Sequence, residues 1–308
     1  MIEINGLTKR FGKTLAVDHL SFTVERGDAF GFVGPNGAGK TTTIRMLSTL
    51  LDPDSGTAAI DGHDVRKDPE AVRARVGYMP DFFGVYDDMK VWEYLDFFAA
   101  AYRVPRTRRP QLISDVLELT DLTYKREDYV DSLSRGMKQR LCLAKTLVHD
   151  PEVLLLDEPA SGLDPRARIE IRELLQELCR MKKTILISSH ILPELAELCN
   201  KVAIIEAGRL VTAGSVAQIS AELQGGVRIC VRLAGRHNDC CEFLAKRPEV
   251  AKVAFVDGTV DLLYRGDPET QHLLLAALVH AGFPVQSFSE RAMDLETLYM
   301  QVTKGVVS

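Results

Sequence analysis

No apolar run in this sequence approaches the roughly 18 residues that a membrane-crossing helix needs. The N-terminus, Met1-Ile2-Glu3-Ile4-Asn5, has neither a basic n-region nor an apolar h-region, so no secretory leader is expected. Cysteine is sparse. The six residues Cys142, Cys179, Cys199, Cys230, Cys240 and Cys241 form no C-x-x-C pair and have no histidine cluster beside them. That pattern suggests neither a zinc site nor a redox pair, and reads as reduced thiols of a cytosolic protein, most of them buried as small hydrophobes. A basic excess is also lacking. Lys and Arg number 38 against 43 Asp and Glu, a net charge of -5, which argues against nucleic acid as a partner while leaving a local basic patch open. There is no internal repeat and no low-complexity tract. What remains is 46% apolar and 26% charged, the balance of a globular chain with a full core. Its 308 residues allow one large domain or a domain with an appendix.

One stretch organises the rest. Gly34-Pro35-Asn36-Gly37-Ala38-Gly39-Lys40-Thr41-Thr42 fits G-x-x-x-x-G-K-[ST], a loop that wraps a nucleotide triphosphate tail. The apolar run Ala29–Val33 precedes it as a buried strand, and Ile44, Leu47 and Leu51 follow at helical spacing up to Asp52-Pro53. The three glycines let the backbone curl with its N–H groups inward, towards phosphate oxygens at a helix N-terminus. Lys40 would reach the β- and γ-phosphates, and the Thr41 hydroxyl would ligate Mg²⁺. A bare glycine turn before a helix is the competing reading. The four fixed positions arise by chance in roughly one chain in a hundred of this length, and the flanking strand and helix make chance rarer still.

Strands are expected at Ile2–Leu7, Leu20–Val24, Thr57–Ile60 and Val76–Met79, with a turn at Arg10-Phe11-Gly12. Phe11 could stack on a base, though packing is the commoner role of such a ring. From about 87 to 150 the pattern is helical, with Trp92, Leu95, Phe98 and Ala99, then Gln111–Leu119, then Met137, Leu141, Ala144 and Val148. Further strands follow at Val153–Leu156, Thr184–Ile187, Val202–Ile205 and Arg209–Val211. A helix capped by Asp164-Pro165 lies among them. This alternation predicts an α/β sheet with parallel central strands. After Gly225-Gly226 a βαββαβ order, with a hairpin at Asp257-Gly258, suggests a small ferredoxin-like α+β module.

Two further groups carry chemistry. Asp157-Glu158 ends a buried strand. Asp157 there would hold Mg²⁺ directly or through water, and Glu158 would polarise an attacking water as general base. An acidic pair opening a loop is the bland alternative, and it weakens once the phosphate loop is present. Leu133-Ser134-Arg135-Gly136-Met137 precedes a helix, so its backbone N–H groups and the Ser134 hydroxyl would face an anion, or simply cap the helix.

Together these pieces resemble the ATP-binding cassette family, specifically the nucleotide-binding subunits of ABC transporters, over about residues 2–222. Gly34–Thr42 resembles the Walker A loop, Leu133–Met137 the signature Leu-Ser-Gly-Gly-Gln, and Val153–Glu158 Walker B with its catalytic glutamate. Ser161-Gly162-Leu163-Asp164 resembles the D-loop, His190 the switch histidine, and Phe11 the aromatic that stacks on adenine. The resemblance implies a P-loop NTPase cassette over residues 1–224, with a mixed sheet core, an antiparallel β subdomain and a helical subdomain at about 87–150. Residues 225–308 would form an exporter-type accessory domain. It implies ATP and Mg²⁺ as ligands and hydrolysis involving Lys40, Glu158 and His190. Two cassettes would close head to tail, so that Ser134, Arg135 and Gly136 serve ATP in trans. There are departures. Arg135 replaces a glycine and Met137 a glutamine; Arg135 would add a cation near the trans phosphate or point outward. Asp81 stands where the family has the Q-loop glutamine and is the candidate for its Mg²⁺ role. The loop Phe82-Phe83-Gly84-Val85-Tyr86 would lead from it towards the transmembrane contact.

With no span of its own, such a chain needs separate transmembrane permease subunits and a second cassette, as a homodimer or a mixed pair. It would lie in the cytoplasm on the inner face of the membrane. The alternative is a soluble ABC ATPase of DNA repair or translation. Repair types carry a long coiled coil between Walker A and signature, whereas this interval is only about 90 residues and globular in pattern. Translation types carry two cassettes per chain. A non-hydrolysing ATP sensor would need neither Glu158 nor His190, and a P-loop kinase would have no use for a signature or D-loop.

Overall fold

The computed structural model describes residues 1–81, 84, 88–290 and 294–303. The Phe82-Phe83 and Val85-Tyr86 parts of the loop after Asp81, and Asp87, lie outside the described residues. Two compact units divide the chain at Gly214. The divide falls before the helix Val216–Gln224, not after it at Gly225, because that helix packs with the strand that follows.

In the first unit, β1 (Ile2–Phe11) and β2 (Thr14–Val24) form a hairpin. Phe11 is the last residue of β1, paired with Thr14, so the turn is Gly12-Lys13 and not Arg10-Phe11-Gly12. Next come β3 (Ala29–Val33), α1 (Lys40–Leu47), β4 (Ser55–Ile60), β5 (His63–Asp64), α2 (Pro69–Arg75) and β6 (Val76–Met79). Three helices follow, α3 (Val91–Ala101), α4 (Arg109–Leu119) and α5 (Arg135–Leu147). The chain returns through β7 (Val153–Asp157), α6 (Pro165–Arg180), β8 (Thr184–Ser189), α7 (Leu192–Leu198), β9 (Lys201–Glu206) and β10 (Arg209–Gly214).

Helix α1 stops at Leu47, before the expected Asp52-Pro53. Thr49 takes a left-handed φ of +61°, Leu50 N–H donates to Arg45 O, and Thr49 N–H donates to Met46 O. That pair of bonds is the Schellman ending, here with threonine in the place glycine usually holds.

One sheet runs β2-β1-β4-β5 and is antiparallel; the other runs β10-β9-β3-β8-β7-β6, with β9, β3, β8, β7 and β6 mutually parallel. Every residue of β3, β7 and β8 is buried, as parallel strands covered on both faces require. The register pairs Val33 with Ser189 and Asp157 with Ser188. The carboxyl ends of β3, β7 and β8 therefore finish level, and the loops that leave them emerge at one edge, where open α/β sheets bind ligands.

The second unit has α8 (Val216–Gln224), β11 (Val227–Leu233), α9 (His237–Ala245), β12 (Val250–Val256), β13 (Thr259–Tyr264), α10 (Gln271–His280), β14 (Val285–Glu290) and α11 (Leu295–Val302). Its sheet, β12-β13-β11-β14, is antiparallel throughout. Asp257 and Gly258 both have positive φ, the geometry of a tight primed hairpin turn. Its own core includes Ile229, Val231, Leu244, Leu262, Leu274 and Leu278.

Candidate functional site

A cleft of about 470 Å³ opens at the shared carboxyl edge of β3, β7 and β8. Asn36, Gly37, Gly39, Lys40, Thr41 and Thr42 line one side. Glu158, Ser161, His190 and Asp81 line another, and Phe11, Thr14 and Ala16 lie at a third. Phe11 is half exposed, so its ring faces this cleft instead of packing into the core.

The loop's shape follows from close backbone approaches. Gly39, the residue before α1, has φ +100°, and a Cβ there would lie 2.4 Å from Ala16 O. A Cβ on Gly34 would lie 2.5 Å from Ile205 O. Ala38 N–H donates to Pro35 O (3.1 Å), and Ala38 O accepts from Gly208 N–H (3.1 Å). The first N–H groups of α1 have no partner within the helix. The buried Lys40 Nζ donates to Gly34 O (2.7 Å) and Pro35 O (3.2 Å) and lies 3.7 Å from Glu158 Oε1. Burial holds its pKa below the ordinary lysine value, against the opposing pull of the Glu158 and Asp157 carboxylates.

The two carboxylates diverge. Asp157 is 1% exposed; its Oδ1 accepts from Ser188 Oγ (2.5 Å), and its Oδ2 has no hydrogen-bond partner among the described residues. Glu158 has φ +50°, a left-handed value uncommon for a non-glycine residue and typical of functional turns. Its N–H donates to Ser188 O and Oγ, both at 3.1 Å. Glu158 Oε2 lies 2.8 Å from His190 Nδ1. Ser189 Oγ accepts from Ile191 N–H (3.0 Å) and holds the turn that carries His190. A buried carboxylate oxygen without a partner, beside a hydroxyl-bearing loop, is a hard-oxygen donor set that fits Mg²⁺.

Ser134, Arg135 and Gly136 do not line the cleft. Ser134 caps α5, its Oγ accepting from Met137 N–H at 3.3 Å. Arg135 is exposed but not free. Its Nη2 donates to Ser161 O (3.4 Å), and the guanidinium lies so close over Gly162 that a Cβ there would sit 2.1 Å from Nη2. It therefore rests on the Ser161-Gly162 loop of its own chain, a placement not foreseen from sequence.

Sequence reasoning missed two residues. Ser188 lies just past the strand expected at Thr184–Ile187, yet it bonds both Asp157 and Glu158. Gln139, buried, donates through Nε2 to Pro159 O (2.7 Å) and ties α5 to the loop after Glu158. The available signal for Ser188 was a polar residue directly after a buried apolar run, as Asp157 is.

Comparison with known proteins agrees with this geometry. The ABC transporter family model matches residues 17–161. A Nod factor export ATP-binding protein I of Burkholderia lata is 37% identical over 303 residues, covering 98% of this chain and 96% of that protein. A daunorubicin resistance ATP-binding protein of Streptomyces coeruleorubidus is 33% identical over 310 residues, covering 98% and 95%. Both similarities extend through the second unit. The solved structure of the ATP-binding subunit of an ABC transporter superposes with a TM-score of 0.66 at 27% identity, covering 72% of this chain and 93% of that one. A mixed-sheet P-loop cassette, a cleft lined by the phosphate loop, Glu158 and His190 with Asp157 buried just behind Glu158, and relatives matched along nearly their whole length lead to one assignment: the chain belongs to the family of ABC transporter ATP-binding proteins.

Proposed function

We propose that this chain is the ATP-hydrolysing subunit of an ABC transporter, closing on a second cassette to drive separate transmembrane permease subunits. The observation that carries the reading is the line of contacts Lys40 Nζ, Glu158 and His190 Nδ1 across the cleft beneath the phosphate loop. An ATP sensor has no need of a carboxylate held between a lysine and a histidine.

Backbone N–H groups at the start of α1, from Lys40 to Thr42, bind phosphate oxygens, and Lys40 Nζ turns from the loop carbonyls to the β- and γ-phosphates. Thr41 Oγ1 and Asp157 Oδ2 would hold Mg²⁺, with Asp81 as a further candidate oxygen. No cluster of three or more metal-binding side chains is found among the described residues, which suits a cation shared with substrate phosphates. When bound, the cation neutralises charge on the β- and γ-oxygens. Phe11 stacks on the adenine. Glu158 Oε1 takes the proton of the attacking water, and His190 Nδ1 holds Oε2 so that Oε1 stays aimed into the cleft.

Ser134, Arg135 and Gly136 do not line the cleft, and Arg135 meets it only through Ser161 O at its edge, which supports their action on a partner cassette's ATP. No described helix is long and apolar enough to cross a membrane; the kinship with ABC transporter ATP-binding proteins is why the permease is placed on other chains and this one at the cytoplasmic face. The names of the relatives, Nod factor export and daunorubicin resistance, favour export over repair or translation. The second unit, which begins at Gly214, is read as a ferredoxin-like accessory module.

The test is turnover. Glu158→Gln should bind ATP normally and hydrolyse it about 10²–10⁴-fold more slowly, the usual contribution of a positioned base. Lys40→Ala should weaken ATP binding itself. Wild-type turnover in Glu158→Gln would remove Glu158 from the mechanism.

A further inference from the structure

Ser188 is the second-to-last residue of β8, two before His190, with no exposed surface. Its hydroxyl has one proton to give and lone pairs to receive. The Glu158 N–H can only donate, so Oγ accepts there (3.1 Å), and its own proton goes to Asp157 Oδ1 (2.5 Å). The bonds thus run in one direction, Glu158 N–H to Ser188 Oγ–H to Asp157 Oδ1. The Ser188 carbonyl accepts from the same Glu158 N–H at 3.1 Å, so one residue clamps the Asp157–Glu158 link through both backbone and side chain.

This clamp lies at a backbone conformation that residues with side chains rarely adopt. Between Asp157 and Glu158 the backbone enters the left-handed region, with φ +50° at Glu158, a conformation that persists only when its surroundings impose it. The turn is also what separates the two carboxylates. Asp157 stays buried with Oδ2 unpartnered, while Glu158 reaches the cleft between Lys40 and His190.

We propose that Ser188 is a positioning residue for both carboxylates. It occupies Oδ1 of Asp157 with a hydrogen bond, leaving Oδ2 as the oxygen offered to Mg²⁺, and it holds the Glu158 turn that aims the base. The inference rests on the roles given to Asp157 and Glu158 above. Without the Ser188 proton, Asp157 Oδ1 is buried with no donor and the carboxylate is free to rotate, so ordering it around a cation costs more.

The experiment uses the full chain and an isosteric pair, Ser188→Thr and Ser188→Val, which add the same methyl volume and differ only in the hydroxyl. Ser188→Ala is the third variant, for the case in which the added methyl does not fit. Thermal melts are recorded with ATP in EDTA and with ATP over a Mg²⁺ titration; kcat and KM for ATP are measured in parallel. A hydrogen bond to a charged group implies a rise of about tenfold in the Mg²⁺ needed for the half-maximal melting shift in Ser188→Val and Ser188→Ala, with Ser188→Thr near wild type. The shift caused by ATP in EDTA should stay the same in all four proteins. In the two variants without a hydroxyl, kcat should fall about tenfold with KM for ATP little changed. A Mg²⁺ titration that superimposes on wild type in Ser188→Val and Ser188→Ala would overturn the inference, even if kcat falls, because that pattern belongs to general loosening. A wild-type chain with no Mg²⁺-dependent shift would instead overturn the ATPase reading beneath it, and the clamp with it.

Discussion

Alanine at two glycines of the phosphate loop should have unequal costs, and the structure sets the difference. Gly37 and Gly39 both have positive φ, +81° and +100°. An alanine at either pays the left-handed penalty of about 1–2 kcal/mol. At Gly37 nothing lies within 4 Å of the added Cβ. At Gly39 the Cβ would sit 2.4 Å from Ala16 O and 3.3 Å from Val17 Cγ2. Ala16 O is backbone, so the loop or β2 must move; overpacking of this kind adds about 1–3 kcal/mol. Gly39→Ala should therefore be less stable than Gly37→Ala by about 2 kcal/mol, a gap of roughly 4–8 °C in melting temperature for a unit of this size. Differential scanning calorimetry without nucleotide reads the gap. ATP titration should show Gly39→Ala binding more weakly, because its backbone N–H groups are displaced. Equal melting temperatures would mean that φ strain alone governs the loop and that the approach to Ala16 is not rigid.

Two other outcomes follow from particular side chains. His149 stacks on Tyr102 (3.7 Å between ring centroids), has Nε2 3.0 Å from Val76 O and Nδ1 buried without a partner, and burial pushes its pKa down to about 4. Between pH 6.5 and 4 the unfolded chain binds a proton there that the folded chain refuses, so stability present above pH 6.5 is lost on acidification, by up to about 3 kcal/mol. Replacing it by His149→Phe should flatten the fall of melting temperature over that window, and an unchanged slope would refute the assignment. Asp81 lines the cleft just beyond β6, and Asp81→Asn should raise the Mg²⁺ needed for half-maximal ATPase activity if it contributes an oxygen; superimposable titrations at fixed ATP would remove it from the metal's surroundings.

The elements easiest to read were those whose burial leaves one pattern. Strands β3, β7 and β8 carry the unbroken apolar runs Ala29–Val33, Val153–Leu156 and Ile185–Ile187 because both faces are covered, and the polar residues that follow two of them, Asp157 and then Ser188 to His190, mark the functional edge. Helix α6 was legible from Asp164-Pro165, whose carboxylate accepts from Arg166 and Ala167 N–H, and from Ile171, Leu174, Leu175 and Leu178, all buried. Helices α2 and α7 were missed because each has only seven residues, too few to show a period. The end of α1 was missed because threonine, not glycine, takes the left-handed cap. Motif spacing put the loop, Asp157, Glu158 and His190 in order along the chain, but it could not show that Ser188 joins two of them. Nor could it show that Arg135 lies on Ser161-Gly162, since both are side-chain directions that no periodicity encodes.

The central claim is that the cleft is half of a site, completed by the Ser134–Gly136 segment of a second cassette. Light scattering on Glu158→Gln protein at saturating Mg²⁺-ATP tests it most directly. The account predicts a stable dimer that needs ATP and disappears when a bulky Ser134→Phe change is added to the same chain. Monomer alone at saturating ATP, with nucleotide bound, would contradict closure of two copies of this chain, and a dimer indifferent to Ser134→Phe would contradict the signature's role in it.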